Sequence, residues 1–406
     1  MTAGRTTLML RTFASTWRQY RGRPIAHNRP LTDSSRWGSV NAYQTNLEQT
    51  APMNINRLAL GLVLVLAVEP FAAPLKPATW VPLPAVGSSP ETGFQYGAYV
   101  MRIFAQQTPA VPQNRLEVLL QGTTEGQYQA YVWPSVYVSD GAWNISGKLG
   151  GKYWPSDYYG QANQTPDAGD SYADSALESS VSATRKVTDT LYLGASLFAE
   201  WHKIDNLINP SQATLLDDSV AGEGGGLYTG LGISGQIDSR DNADWSSRGQ
   251  LLSSHLDLYS EALGSDVGFY VAQLSGARFI PLGSDVLALR AHGQLASANT
   301  PFTHLPKPTG DSTLRGANGN RWIDFTALGG QLEWRKTLGP KWAGVAFFDS
   351  IQVAPSLAEL QLRDFHYSTG LGVRFATTPD RFNIRLDIGW VDAQSLNFAI
   401  TVGEAF

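Results

Sequence analysis

The sequence contains no cysteine, and only 16% of its residues are charged. The absence of cysteine excludes a disulfide framework and thiol chemistry, and it suits a chain that crosses an oxidising periplasm unfolded. A formal net charge of −5 gives no sign of the basic surface that nucleic acid requires. Glycine, tryptophan and tyrosine are plentiful instead, with 40, 12 and 16 residues, a profile that is not typical of an α/β enzyme.

Long apolar runs are also scarce, and the clearest one lies near the start of the chain. Leu58–Val68 follows a single arginine after Met53 and is followed by small residues. The run is too short for a spanning helix with ordinary flanks, so it predicts a secretory signal peptide over residues 53–73. Residues 1–52 are rich in arginine, as in an organellar transit peptide, but we favour a start at Met53 and a misassigned extension before it. The remaining domain is then 74–406.

Segments of roughly ten residues with alternating apolar and polar side chains fill this domain, which is strand periodicity. They include residues 142–152 and 175–186, and the last one, 395–406, is expected to run to the end of the chain. In Asn383–Trp390 the apolar residues point one way, while Arg385, Asp387 and Gly389 point the other way. Aromatic residues recur near the segment ends. Apolar-out, polar-in strands with aromatic girdles favour a transmembrane β-barrel over a secreted sandwich.

The connections between these segments alternate between long and short, as extracellular loops and periplasmic turns do. The fold class predicted is therefore all-β, a transmembrane antiparallel barrel of about 16 strands with a periplasmic carboxyl terminus. If the carboxyl terminus is periplasmic, the alternation of long loops and short turns requires one more strand at the start of the barrel, within Trp80–Ser88. Pro82 and Pro84 lie in that segment, so it is expected to pair weakly.

Several motifs give the chain from about residue 80 to 406 a resemblance to the Omp85 superfamily, the surface-antigen (D15) barrels. LRG resembles the family's loop-six motif and lies five strands before the end, where the family has it. The other matches are ISGQIDSRDN with WSSRG, VAFFDS, YSTGLGVRF and a terminal aromatic sorting signal; they occupy Ile233–Asn242, Trp245–Gly249, Val345–Ser350, Tyr367–Phe375 and Phe406. Ala317 and Ser350 depart from the family pattern.

The resemblance implies that the loop of about residues 299–324 folds into the lumen through Leu314, Arg315 and Gly316. Arg315 would then pair with an acid on the barrel wall, since a guanidinium can hold a carboxylate with two hydrogen bonds. Asp349 is the matching acid, but apolar residues occur on both faces of this strand, at Phe347 and Phe348, so alternation does not decide which face Asp349 occupies. Alternation does point Glu333 inward, which makes it a second candidate. An exposed surface arginine is the alternative.

Other charged residues suggest two further sites. Arg374, Arg385 and Asp387 are expected to line the lumen together, as a structural charge network or as an ion-selecting group. A second group at a periplasmic turn is expected to fix that turn by side-chain hydrogen bonds, with partner docking as the alternative; it comprises Asp238, Arg240, Asp241 and Arg248.

No catalytic residue, metal site or cofactor is predicted. The histidines lack the spacing of metal ligands; they are His27, His202, His255, His292, His304 and His366. Ser253 and His255 share a face, but a barrel phospholipase would need such a pair, with an orienting partner, on the lipid-facing wall. GEGGG at Gly222–Gly226 lacks the lysine and helix of a phosphate loop, and we expect a loop end there.

Three hypotheses for the function remain open: a protein-assembly or translocation barrel, a restricted pore or lipid-handling barrel, and an outer-membrane enzyme. We favour the first, non-enzymatic reading. Too few residues separate the predicted signal peptide from the first strand for the family's periplasmic POTRA modules, which counts against an assembly role unless a separate partner supplies them. Expected partners are outer-membrane lipid, client outer-membrane proteins or a periplasmic protein, and the general barrel-assembly machinery for its own insertion.

Overall fold

The computed structural model describes residues 76–406 except 107, 109–110, 208–214, 311 and 378–380, so the predicted extension and signal peptide lie outside it. In the described part, antiparallel strand segments form one sheet. They are β1 Thr79–Pro84, β2 Gly87–Ser89, β3 Gly93–Ile103, β4 Arg115–Thr123, β5 Tyr128–Val138, β6 Trp143–Tyr158, β7 Asp170–Lys186, β8 Leu191–Asn206, β9 Gly225–Asp238, β10 Gly249–Tyr259, β11 Phe269–Leu282, β12 Asp285–Ala296, β13 Thr326–Thr337, β14 Trp342–Ala354, β15 His366–Ala376, β16 Asn383–Val391 and β17 Ser395–Val402. Short 3-10 turns occur at Glu261–Leu263, Phe302–His304, Leu357–Glu359 and Leu362–Asp364.

The first strand of the barrel is built from two segments. β1 pairs with Ala98–Ile103 of β3, and β2 pairs with Gly93–Gln95 of the same strand. Pro82 and Pro84 lie in β1, where each lacks the N–H that a central strand would need. Counting β1 and β2 as one strand gives the closed antiparallel barrel of 16 strands, which confirms the predicted fold class.

The barrel closes through a narrow seam between β2 and β17. A single register pair, Ile400 with Ser88, joins them. By contrast, β16 pairs with β17 along the whole length of β17, from Ile384 opposite Val402 to Val391 opposite Ser395. The last strand was expected to run to the terminus, and that expectation is wrong. β17 ends at Val402 because Gly403, at φ +76°, turns the chain, and the last residues then meet buried arginines.

Side chains alternate between the two faces of the wall as the sequence pattern predicts. In β13, Leu332 and Trp334 are exposed, while Gln331, Glu333 and Arg335 are buried. In this strand the polar residues thus face the lumen, and the apolar residues between them face lipid. No helix in the described residues is long and apolar enough to cross a membrane.

The longest connection, residues 297–325 between β12 and β13, is called the lumen loop below. Two apolar clusters hold it against the inner wall. One joins Phe302, Leu305 and Ile323 to Tyr158 and Tyr172; the other joins Leu314, Ala317 and Trp322 to Ile351 and Val391. The loop thus forms a packed segment in the end of the lumen at which β12 ends and β13 begins. This end is called the upper end below.

The hairpin of β6 and β7 extends further than the alternation predicts. The two strands stay paired from Trp143–Arg185 up to Tyr158–Asp170. Tyr158 and Tyr172 then pack edge-on against Phe302, with ring centroids 5.3 and 5.2 Å away. This extension supplies the wall on which the start of the lumen loop rests.

Candidate functional site

Arg315 is the centre of the charged site in the lumen. Its Nε and Nη2 donate to the two carboxylate oxygens of Asp349 at 2.8 and 2.7 Å, and its Nη1 donates to Glu333 Oε2 at 2.5 Å. The arginine is 1% exposed and both acids are 0% exposed. Two carboxylates therefore face one guanidinium in a water-poor space, where each hydrogen bond is electrostatically stronger than in water.

The aromatic residues beside Asp349 lie on opposite faces of β14. Phe347 is buried, and the Arg315 guanidinium carbon lies 3.6 Å from its ring centroid. Phe348 is exposed on the outer face. Asp349 shares the inner face with Phe347 by strand alternation, so the guanidinium contacts an aromatic ring and a carboxylate at once.

Close backbone contacts fix the lumen loop around the arginine. Ser368 Oγ donates to the carbonyl oxygen of Arg315 at 2.6 Å, and Asn397 Nδ2 donates to that of Gly316 at 2.8 Å. Gly316 has φ +91°, a conformation that favours glycine. A Cβ placed on Gly389 of the wall would lie 2.2 Å from the Arg315 carbonyl oxygen, so only glycine fits there.

A chain of charges continues from this pair towards the carboxyl terminus. Arg335 Nε donates to Glu333 Oε1 at 2.6 Å. Arg374 Nη1 donates to Asp387 Oδ1 at 2.6 Å, and its Nε donates to Glu404 Oε2 at 2.8 Å. Arg385 lies beside them, with its Nη1 3.7 Å from Asp387 Oδ2. The three predicted lumen residues thus stand together, in a network that balances its charges internally.

Two members of the network were missed in the sequence, Arg335 and Glu404. Arg335 stands two residues after Glu333, so strand alternation could have placed it on the inner face. Glu404 carries no such signal, because the residues around it had been assigned to the last strand. Its position depends on the turn at Gly403.

Phe406 lies inside the barrel, at the end of the four-residue tail Gly403–Phe406. Its ring packs on Phe279 at a centroid distance of 6.2 Å, and its carbonyl oxygen accepts from Arg335 Nη2 at 3.1 Å. In the folded barrel this residue is half-buried. A sorting role for Phe406 remains a prediction.

The turn after β9 is held by its own side chains. Arg240 donates twice to Asp238, from Nε at 3.0 Å and from Nη2 at 2.8 Å. Asp241 accepts from the backbone N–H groups of Ser247 and Arg248 at 2.9 and 3.2 Å. Burial opposes ionisation of Asp241, but the hydrogen bonds from Ser247 and Arg248 outweigh it, so its pKa lies below the ordinary value.

The histidines are not scattered in space as they are in the sequence. His202 and His304 lie close together at the upper end of the lumen, with ring centroids 5.3 Å apart. His255 Nε2 is 2.8 Å from Asp257 Oδ1. Leu252 and Leu258 are the exposed large apolar residues of β10, so Ser253 and His255, which alternate with them, face the lumen and not lipid. The pair lacks the placement that a barrel phospholipase would need.

These features, a closed antiparallel barrel with an apolar outer face and a charged, loop-filled lumen, define the class of bacterial outer-membrane β-barrels. Within that class the Omp85 superfamily domain matches residues 130–406, and the chain belongs to that family.

Two solved structures are similar to the whole barrel. One is BamA from Haemophilus ducreyi lacking POTRA domains 1–3, with a TM-score of 0.58 and 13% identity over 80% of this chain and 70% of that one. The other is CdiB from Acinetobacter baumannii, with a TM-score of 0.53 and 12% identity over 80% of this chain and 60% of that one. At these identities the likeness shows the fold alone. The comparison with curated proteins finds no match.

Proposed function

We propose that this barrel inserts or translocates proteins at the outer membrane without catalysing a chemical reaction, after removal of a signal peptide over residues 53–73. The observation that carries the proposal is the seam, where one register pair, Ile400 with Ser88, closes the barrel. Membership of the Omp85 superfamily supports it, because the chain resembles that family's assembly and translocation proteins.

The seam offers a route for a client strand. After Val402 the chain turns into the lumen, so the part of β17 that would face β1 is missing. β1 then has a paired neighbour only on its β3 side among the described strands, and an unpaired edge can template another strand, even though Pro82 and Pro84 each remove one donor from it. Opening the seam would break few hydrogen bonds, whereas the lumen is obstructed by its loop. A client would therefore leave sideways into lipid.

A disulfide across the seam tests this route. The chain has no native cysteine, so Ser88→Cys with Ile400→Cys would introduce the only two thiols. Cross-strand partners lie within disulfide distance. We expect oxidised cells to lose outer-membrane or secreted proteins, measured by quantitative mass spectrometry, and to recover them when the disulfide is reduced.

The matched control keeps Ile400→Cys and pairs it with Leu386→Cys, its register partner in β16. That disulfide joins two strands that are already fully paired, so it should leave the proteome unchanged. Equal protein levels in cells with the locked and the reduced seam would contradict the proposal.

A restricted pore is the second candidate, favoured by two cavities that polar and charged side chains line in part. One of about 330 Å³ is lined by Tyr192, Gln236, Ser253, Gln273 and other polar residues. A second of about 570 Å³ is lined by Glu117, Asn144 and Lys148 among others. A selective single-channel current in wild type, together with no effect of the seam disulfide, would favour this function.

A further inference from the structure

Glu200, His202 and His304 converge at the upper end of the lumen. Glu200 and His202 are two residues apart in β8, so both point inward. His304 ends the 3-10 turn Phe302–His304 of the lumen loop. His304 Nε2 lies 2.8 Å from Glu200 Oε2, and His202 Nε2 lies 3.8 Å from the same oxygen. The three ligand atoms are all within 4.8 Å of one another.

His202 is held in the orientation that a metal ligand needs. Its Nδ1 lies 2.9 Å from Asp174 Oδ1, and Asp174 is also paired with Lys152 at 3.0 Å. An Nδ1–H donated to this carboxylate leaves a lone pair on Nε2, the carboxylate–histidine arrangement that supports metal sites. The residue is 5% exposed, yet Nε2 has no hydrogen-bond partner. A buried acceptor of this kind requires an explanation.

We propose that Glu200, His202 and His304 bind a Zn²⁺ ion that ties the lumen loop to β8. Two imidazoles and one carboxylate are a zinc ligand set that leaves a fourth position open, whereas calcium and magnesium prefer oxygen ligands throughout. Tetrahedral zinc with bonds of about 2.0–2.1 Å places its ligand atoms roughly 3.3–3.4 Å apart. Two of the three observed separations, 2.8 and 3.8 Å, lie on either side of that value, and the third is within 4.8 Å, so side-chain movements would complete the site.

Aromatic side chains enclose the position. The rings of Tyr228, Tyr259 and Phe269 lie 4.9, 5.3 and 5.3 Å from that of His304, centroid to centroid. Such a shell limits the access of water and strengthens the attraction between cation and carboxylate. The ion would fix the loop at a second point, on the wall away from Arg315. This inference does not depend on the proposed transport function.

Zinc binding by the folded barrel tests the site. Protein in detergent is stripped with EDTA, supplied with Zn²⁺ and desalted, and retained zinc is measured by mass spectrometry. We expect one ion per wild-type barrel and none above background in His202→Ala or His304→Gln. His304→Gln changes only the loop, so it keeps the test valid if the wall variant misfolds. Heat-modifiable mobility identifies folded protein in each sample.

His255→Ala is the matched control, because it removes another inward histidine that contacts a carboxylate, Asp257, without a third ligand nearby. It should retain zinc. Asp174→Asn leaves all three ligands in place and should weaken zinc binding by about 10- to 100-fold if Asp174 positions His202. Wild type that retains no more zinc than His304→Gln, or an equal loss in His255→Ala, would overturn the proposal.

A second measurement follows the loop itself. Zinc should protect the lumen loop of wild type from added protease, and EDTA should remove that protection. His304→Gln should be cleaved equally with and without zinc. Protection by zinc that persists in His304→Gln would show that the ion acts elsewhere and would also overturn the proposal.

Discussion

Arg315 and Asp349 form a buried two-point pair, in which Nε and Nη2 of the arginine contact the two carboxylate oxygens at 2.8 and 2.7 Å. The pair joins the lumen loop to β14, and Glu333 of β13 adds a second acid at 2.5 Å. Because neither acid is exposed to water, the loop is held by the charges of the wall as well as by apolar packing.

Arg315→Ala should loosen the lumen loop while the barrel remains inserted. Asp349 and Glu333 would lose the cation that compensates them, a change that typically costs about 3–5 kcal/mol for a buried pair. We expect a lower unfolding temperature by heat-modifiable mobility and faster proteolysis of the loop. Arg363→Ala is the control, because the side chain of that arginine is 79% exposed and, among the described residues, its ion pair is with the neighbouring Asp364. Unchanged mobility and protease resistance in Arg315→Ala would exclude a structural role for the pair.

Gly389→Ala should displace the loop without removing any charge. The added Cβ would lie 2.2 Å from the Arg315 carbonyl oxygen, a distance that the backbone must relieve by moving. The expected result is increased protease cleavage within the loop. Gly339→Ala is the comparison, since a Cβ at Gly339 meets nothing within 4 Å. Equal cleavage in both variants would mean that the loop does not rest against β16 as described.

Deletion of Phe406 should lower the amount of barrel in the outer-membrane fraction, because the terminal aromatic residue is the predicted sorting signal. Glu404→Gln separates sorting from stability: it weakens the contact of the tail with Arg374 but leaves the terminal residue in place. We expect Glu404→Gln to reach the membrane and to unfold at a lower temperature. Normal outer-membrane levels after deletion of Phe406 would contradict the sorting role.

Lys307 gives the loop a pH dependence of predictable sign. Burial, with repulsion from Lys152, lowers the pKa of Lys307 to about 8. A lysine whose pKa falls on folding destabilises the folded loop while it is charged, and this penalty disappears as the pH rises from about 8 towards about 10.4, the ordinary lysine value. Lys307→Met should therefore stabilise the loop at pH 7 and have little effect near pH 10, measured as thermal unfolding at both values. An equal effect at both would contradict this.

Much of the fold could be predicted because lipid imposes alternation on every strand. β13 and β16 show it residue by residue, and the parity of long and short loops gave the strand count. The prediction failed where lipid does not act. β6 continues to Tyr158 beyond the alternating stretch, and β17 stops at Val402 because the tail finds partners inside the barrel.

The site was predictable in part for a similar reason. The loop motif around Arg315 and the alternation that points Glu333 inward can both be read from the sequence. Only the structure shows that Asp349 lies on the inner face of its strand. His202 and His304 come from different elements and share no spacing rule. Their proximity depends on how the loop packs on Tyr158 and Tyr172, which no local pattern encodes.

The most direct test of the obstructed lumen is planar-bilayer conductance of the purified barrel beside a variant without the loop. The Ala296 N–H donates to the Phe325 carbonyl at 2.7 Å, so replacing residues 298–323 with a short glycine–serine turn should preserve the hairpin. We predict that wild type is nearly closed and that the variant opens a large pore. Steady conduction by wild type that the replacement leaves unchanged would contradict the account and favour a simple open pore.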